Sequence, residues 1–239
     1  MRKFIAIFTC MFICNVSADE QLPDLEIKEI KPGVYLHKSY SHVDGFGLVS
    51  SNGLVFIEGK SAFMIDTPWS ASDTEKLVNW VNERGVELAG SVSTHSHDDR
   101  AAGIAWLNSE SIPTYATKLT NQILVKEGKE PAANSIDTPD FWLLDDSVEV
   151  FYPGGGHTID NVVVWVPKFK LLHGGCFVKS LGSKSLGYTG EAHIDEWSDS
   201  VDKVLSKYPD ADVVVPGHGD IGGIDLLEHT KKLAESSAD

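Results

Sequence analysis

The stretch Ser93-Thr94-His95-Ser96-His97-Asp98-Asp99-Arg100 decides how this chain is read. It follows Ala89-Gly90-Ser91-Val92, which reads as the end of a strand, and it carries two imidazoles and a carboxylate at alternate positions. In an extended segment residues two apart point the same way, so His95, His97 and Asp99 converge on one pocket. Imidazole nitrogen and carboxylate oxygen are ligands that zinc accepts well. Taken alone, the pattern also fits a polar loop whose histidines bond backbone carbonyls.

Working outward, three further loops each end an expected strand with a candidate ligand: Gly156-His157, Gly175-Cys176 and Gly217-His218. The glycines beside them permit tight turns that bring a side chain close to a shared centre. Together the four loops offer six potential ligands, enough for two zinc ions.

Between these loops the hydrophobic pattern alternates in kind. Residues 25–57 read as antiparallel strands and hairpins, with Phe46 in a glycine-framed loop that could act as a flap. A strand over 62–65 precedes a helix over 70–84, in which Leu77, Trp80 and Val81 recur at helical spacing until Gly85. Helices follow near 101–108 and 117–126, with a strand over 112–115 between them. The polar, proline-punctuated segment 127–139 reads as a surface connection between two halves. The second half is expected to run through strands 148–152, 162–166 and 170–173, a helix over 195–207, a strand over 212–215 and a last helix from 224. Strands followed by alternating strands and helices in each half imply an α/β fold, with two sheets packed face to face and helices outside.

The 239 residues are 42% apolar and 23% charged, the balance of a globular chain. Residues 1–18 stand apart, with Arg2 and Lys3 at the start, an apolar run from Phe4 to Val16, and Val16-Ser17-Ala18 ahead of acidic Asp19-Glu20. That is the pattern of a secretory signal peptide cut after Ala18, so residues 19–239 are expected to be a single domain in the bacterial periplasm. Cleavage removes Cys10 and Cys14 and leaves Cys176 alone, without an intramolecular disulfide partner. The mature chain would carry 18 basic against 35 acidic residues, a net −17. A surface of that sign repels phosphate backbones, which argues against nucleic acid as a partner. Nothing in the sequence calls for a membrane after signal cleavage or for a second subunit, so a monomer is expected.

At this point the chain resembles the metallo-β-lactamase superfamily, and within it the first subclass of class B β-lactamases. The resemblance rests on His95-Ser96-His97-Asp98-Asp99, Gly156-His157-Thr158-Ile159-Asp160-Asn161, Gly174-Gly175-Cys176 and Pro216-Gly217-His218, and covers essentially the whole mature chain. It implies a four-layer αβ/βα sandwich of two mixed β-sheets flanked by helices. It also implies one zinc held by His95, His97 and His157 and a second held by Asp99, Cys176 and His218. The implied activity is hydrolysis of the β-lactam amide of penicillins, cephalosporins and carbapenems by a zinc-bound hydroxide that Asp99 orients, and hence antibiotic resistance. Other hydrolases of this fold, thioesterases and lactonases among them, usually carry histidine and aspartate where this chain has Arg100 and Cys176. A non-catalytic periplasmic zinc-binding protein is the alternative from outside the enzymes.

The resemblance also assigns Lys179 to the substrate carboxylate and Phe46 to the substrate's side group. An asparagine that contacts the lactam carbonyl in many relatives is missing, and Tyr188, or Ser185 if the loop shifts, falls in its slot. Asp66 and Arg100 are the expected partners of metal-bound groups, because such partners fix the tautomer and orientation of ligands. His37, His42, His173, His193 and His229 lie outside the motif loops and read as structural or surface residues.

Overall fold

The computed structural model describes residues 21–144 and 146–238, so the signal-peptide expectation for 1–18 lies outside the described residues. Two sheets are stacked. One runs β1 (Glu26–Lys31), β2 (Val34–Val43), β3 (Gly47–Glu58), β4 (Ser61–Ile65), β5 (Glu87–Val92), β6 (Thr114–Thr117) and β7 (Asn134–Ile136), in that spatial order. It is antiparallel from β1 to β4 and parallel from β4 to β7. The second runs β12 (Val213–Pro216), β11 (Leu171–Gly175), β10 (Val163–Val166), β9 (Val148–Phe151) and β8 (Asp140–Leu143). Only its β11–β12 pair is parallel.

Alternation along the strands builds the layers. In β4, Phe63 and Ile65 point into the core between the sheets, while Ala62 and Met64 pack outward against Leu77, Val78 and Val81 of α1 (Ala71–Asn82). Likewise β10 sends Val164 and Val166 inward, and Val163 outward toward Trp197, Val201 and Val204 of α5 (Ile194–Lys207). The result is a four-layer sandwich of two mixed sheets with helices on both outer faces, as the resemblance implied. The helix expected over 70–84 starts at Ala71 because the Ser70 side chain accepts a hydrogen bond from the Asp73 amide at 3.1 Å and caps it.

Two strands were not expected from the sequence. β7 lies inside the supposed connection 127–139 and forms the edge of the first sheet, and β8 opens the second sheet ahead of β9. Both are edge strands of three or four residues with one buried side chain each, so neither shows the alternation that marks a strand.

The catalytically suggestive loops leave one rim of the sandwich. Parallel β4 and β5 end at Asp66 and Ser93, and parallel β11 and β12 end beside Cys176 and Gly217. At this rim the sheets are tied by backbone bonds from the Val162 amide to the Thr94 carbonyl and from the Asn52 amide to the Gly217 carbonyl, each 2.8 Å. His37 of β2 is buried here, with its Nε2 3.0 Å from the carbonyl oxygen of Asp66.

Burial lowers the His37 pKa to about 3, against a smaller opposing pull from Asp66. The unfolded chain takes up this proton near pH 6.5 and the folded one does not. The stability from His37 is therefore fully present above about pH 6.5 and is lost as the pH falls toward 3. Denaturant titrations across pH should show the gap between wild type and His37→Phe shrinking by about 2 kcal/mol from neutrality to about pH 5. A constant gap would mean that His37 is not held neutral.

Candidate metal centre

The extended conformation expected through Asp99 stops two residues earlier. His97 has φ −67° and ψ 154°, and α2 (Asp98–Ala101) begins directly after it. Asp99 and Arg100 therefore reach the centre from a helical turn, which puts Asp99 at i+4 from His95, with their side-chain atoms 4.0 Å apart. The next helix, α3 (Ile104–Ser109), covers the rest of what the sequence suggested as one helix near 101–108.

Three imidazoles meet at nearly equal spacing. Ring centroids lie 4.6 Å apart for His95 and His97, 5.0 Å for His95 and His157, and 5.1 Å for His97 and His157. Beside them, the Cys176 Sγ lies 3.1 Å from Asp99 Oδ2 and 3.2 Å from His218 Nε2. His95, Asp99 and Cys176 each offer a ligand atom within 4.8 Å of the others, so the two groups adjoin.

Neither ring nitrogen of fully buried His95 has a hydrogen-bond partner. Buried polar atoms are normally satisfied, so a buried imidazole with neither nitrogen bonded fits a metal ligand. The donor chemistry agrees, since imidazoles, a carboxylate and a thiol match a borderline-soft divalent cation such as zinc. Burial, then repulsion from His97, keeps the His95 pKa well below the usual imidazole range, and burial and His95 do the same for His157. Both rings are thereby held in the neutral form that a metal requires.

Partners on the far side fix which nitrogen faces the centre. His218 Nδ1 donates to the Ser50 carbonyl at 2.7 Å and leaves Nε2 inward. His97 Nε2 lies 2.6 Å from Glu191 Oε2, which leaves Nδ1 inward, 3.3 Å from His157 Nε2. Glu191 was not found from the sequence. It is a half-exposed carboxylate in an irregular loop, with no spacing relation to His97 that could have pointed to it.

Arg100 is buried completely and binds most of what surrounds it. Its Nη2 reaches Asp99 Oδ2 at 2.8 Å, the Cys176 Sγ at 3.2 Å and the Gly217 carbonyl at 2.8 Å. Its Nη1 reaches Asp66 Oδ2 at 3.2 Å and the Asn52 carbonyl. Burial alone would raise the Asp99 carboxyl, but Arg100 and then His218 overcome it and hold the pKa well below the usual carboxylate range. Gly217 is dictated by this crowding, because a Cβ there would sit 2.6 Å from Arg100 Nη2 and 2.8 Å from the thiol.

Of the expected substrate residues, Lys179 and Tyr188 stand near the cluster. Lys179 is nearly buried, with its ammonium 5.2 Å over the Trp197 ring, and burial lowers its pKa against the pull of Cys176 and Asp99. Tyr188 is half exposed and its ring lies 6.0 Å from that of His97, whereas exposed Ser185 only accepts from the Gly187 amide at 3.3 Å. Phe46 is exposed at the tip of the β2–β3 hairpin. Trp69, not singled out in the sequence, stands 6.0 Å from His218. His193 precedes α5, 3.7 Å from Glu196, and takes no part in the cluster.

This arrangement defines the class: a protein with histidine, carboxylate and thiol side chains that could hold metal at the rim of an αββα sandwich. No family model matches the sequence. A metallo-β-lactamase type 2 of Pseudomonas aeruginosa is 46% identical over 234 residues, 98% of this chain and 94% of that protein. One from Bacteroides fragilis is 33% identical over 98% of this chain and 96% of its own length. The structure of TMB-1 aligns with a TM-score of 0.89 at 62% identity, covering 91% of this chain and all of the other. The chain belongs to the class B metallo-β-lactamases.

With Arg100 removed, Asp66 and Asp99 would be left as buried carboxylates without their cation. Arg100→Met should cost about 3–5 kcal/mol of folding free energy, read by chemical denaturation of the metal-free protein. A loss under about 1 kcal/mol would show that the pairing is no stronger than at an exposed surface.

Proposed function

We propose that this protein is a zinc-dependent β-lactamase that opens the lactam ring of penicillins, cephalosporins and carbapenems. The observation that carries the reading is the convergence of three imidazoles with an adjoining carboxylate, thiol and imidazole in a chain this similar to named metallo-β-lactamases. His95, His97 and His157 would hold one zinc, and Asp99, Cys176 and His218 a second. Zinc bound there supplies Lewis acidity and makes water nucleophilic near neutral pH.

The chain's own residues then have separable tasks. Asp99, held as a carboxylate by Arg100, can accept a hydrogen bond and orient the attacking water between the two groups of ligands. Arg100 donates to the Cys176 sulfur at 3.2 Å and holds it toward the centre. Lys179 receives the substrate carboxylate, and on a chain of net charge −15 it is also a local attraction for an anionic substrate. Tyr188 offers a hydroxyl toward the lactam carbonyl, and Phe46 on its hairpin covers the apolar side group. A monomer exported to the periplasm through residues 1–18 completes the proposal.

Steady-state hydrolysis of a chromogenic cephalosporin by the mature protein tests it. Turnover should require zinc, stop with chelator and return on adding metal, while an enzyme indifferent to chelation would use another nucleophile. Lys179→Ala should raise KM about tenfold and change kcat less. An unchanged KM would take Lys179 out of the substrate site. Cys176→Ser should lower bound zinc as well as activity while the fold survives, and full zinc content in that variant would contradict the ligand assignment.

A further inference from the structure

Asp66 is in an unusual position. It is a non-glycine residue with φ +61°, fully buried, at the end of β4. Such a backbone is strained and persists only where the surroundings over-determine it. Its amide donates to the Val92 carbonyl at 2.8 Å, and its Oδ1 accepts from the Thr94 amide at 2.7 Å.

Two histidines that the reaction does not use hold what remains. His37, from the first sheet, reaches the Asp66 carbonyl at 3.0 Å, and His173, from the second, reaches Asp66 Oδ2 at 2.7 Å. Both are buried, and in each the other nitrogen, Nδ1, has no partner. An acceptor faces each Nε2, so Nε2 carries the proton in both rings. The sequence makes room for the first of them: Gly53 pairs with His37 across β2 and β3, and a Cβ at Gly53 would lie 2.3 Å from His37 Nε2.

Asp66 Oδ2 takes three donors: His173 at 2.7 Å, Thr94 Oγ1 at 3.0 Å and Arg100 Nη1 at 3.2 Å. The other arm of the same guanidinium holds Asp99, Cys176 and the Gly217 carbonyl. A displacement of Asp66 therefore reaches two proposed metal ligands through one rigid planar group. The three-histidine group meets Asp66 through no guanidinium, but through the amide and hydroxyl of Thr94, the residue before His95.

We propose that His37 and His173, one from each sheet, clamp Asp66 and through Arg100 set the metal affinity of the Asp99, Cys176 and His218 group. They are positioning residues: neither touches a proposed ligand. This rests on the metal reading above, and the test keeps the two apart.

The mature protein is titrated with cobalt(II), reading total bound metal and the thiolate-to-cobalt charge-transfer band that only coordination by Cys176 produces. His173→Phe keeps a ring and loses the donor, whereas His173→Gln keeps a donor. The Phe variant should bind cobalt about 10–100-fold more weakly at the thiolate group, with the three-histidine group unchanged, and Gln should restore most of the loss. His37→Phe should weaken the same group selectively, which keeps the test open if His173→Phe does not fold. A charge-transfer band that titrates as in wild type in the folded variants would overturn the proposal. So would equal weakening of both groups with a lowered melting temperature that Gln does not reverse, since that is the mark of a merely structural role. Wild-type protein that binds no cobalt would instead remove the metal reading itself, and this proposal with it.

Discussion

A guanidinium buried between two carboxylates is the constraint on which the rest of this structure depends. Arg100 joins Asp66, at the end of β4, to Asp99 in α2, and the same fork reaches the thiol after β11 and the carbonyl of Gly217 after β12. Both sheets thus end on one side chain. Burying such charges is costly, and the pairs repay it only when geometry is good and further hydrogen bonds complete each group. Here Thr94, His173 and the backbone supply them. The arrangement is consequently less a source of stability than a way of specifying where the acid and the sulfur stand.

The sandwich explains why these groups can meet at all. Parallel pairs in each sheet bring their strand ends to one rim, and loops leaving that rim carry ligands without disturbing the apolar layers behind them. The rigid part of the site is therefore close to the sheets, as for His95 and Cys176. The parts that would meet a substrate, Phe46 and Tyr188, are on exposed loops. That division suits a fold that fixes its reactive centre and varies what it admits.

What could be read from the sequence followed from local rules. The helices at 71–82 and 194–207 have clear apolar faces, and the six candidate ligands announce themselves by residue type, three in one short run and three beside glycine. β7 and β8 could not be read because their pairing comes from the neighbouring strand and not from their own pattern. Asp99 was expected on an extended segment, but the chain turns helical after His97, a change set by tertiary contacts of Asp99 and Arg100. Glu191 lies 94 positions from His97, and no local period connects residues so distant. His37 and His173 read as ordinary structural histidines, since only the stacked sheets reveal that both grip Asp66.

The central claim is that six side chains from four loops form two adjoining metal positions. An anomalous difference map collected at the zinc edge from crystals of the mature protein tests it without reference to activity. The account predicts two peaks, one enclosed by His95, His97 and His157 and the other by Asp99, Cys176 and His218. Peaks confined to surface carboxylates, with neither group occupied in zinc-saturated crystals, would contradict it.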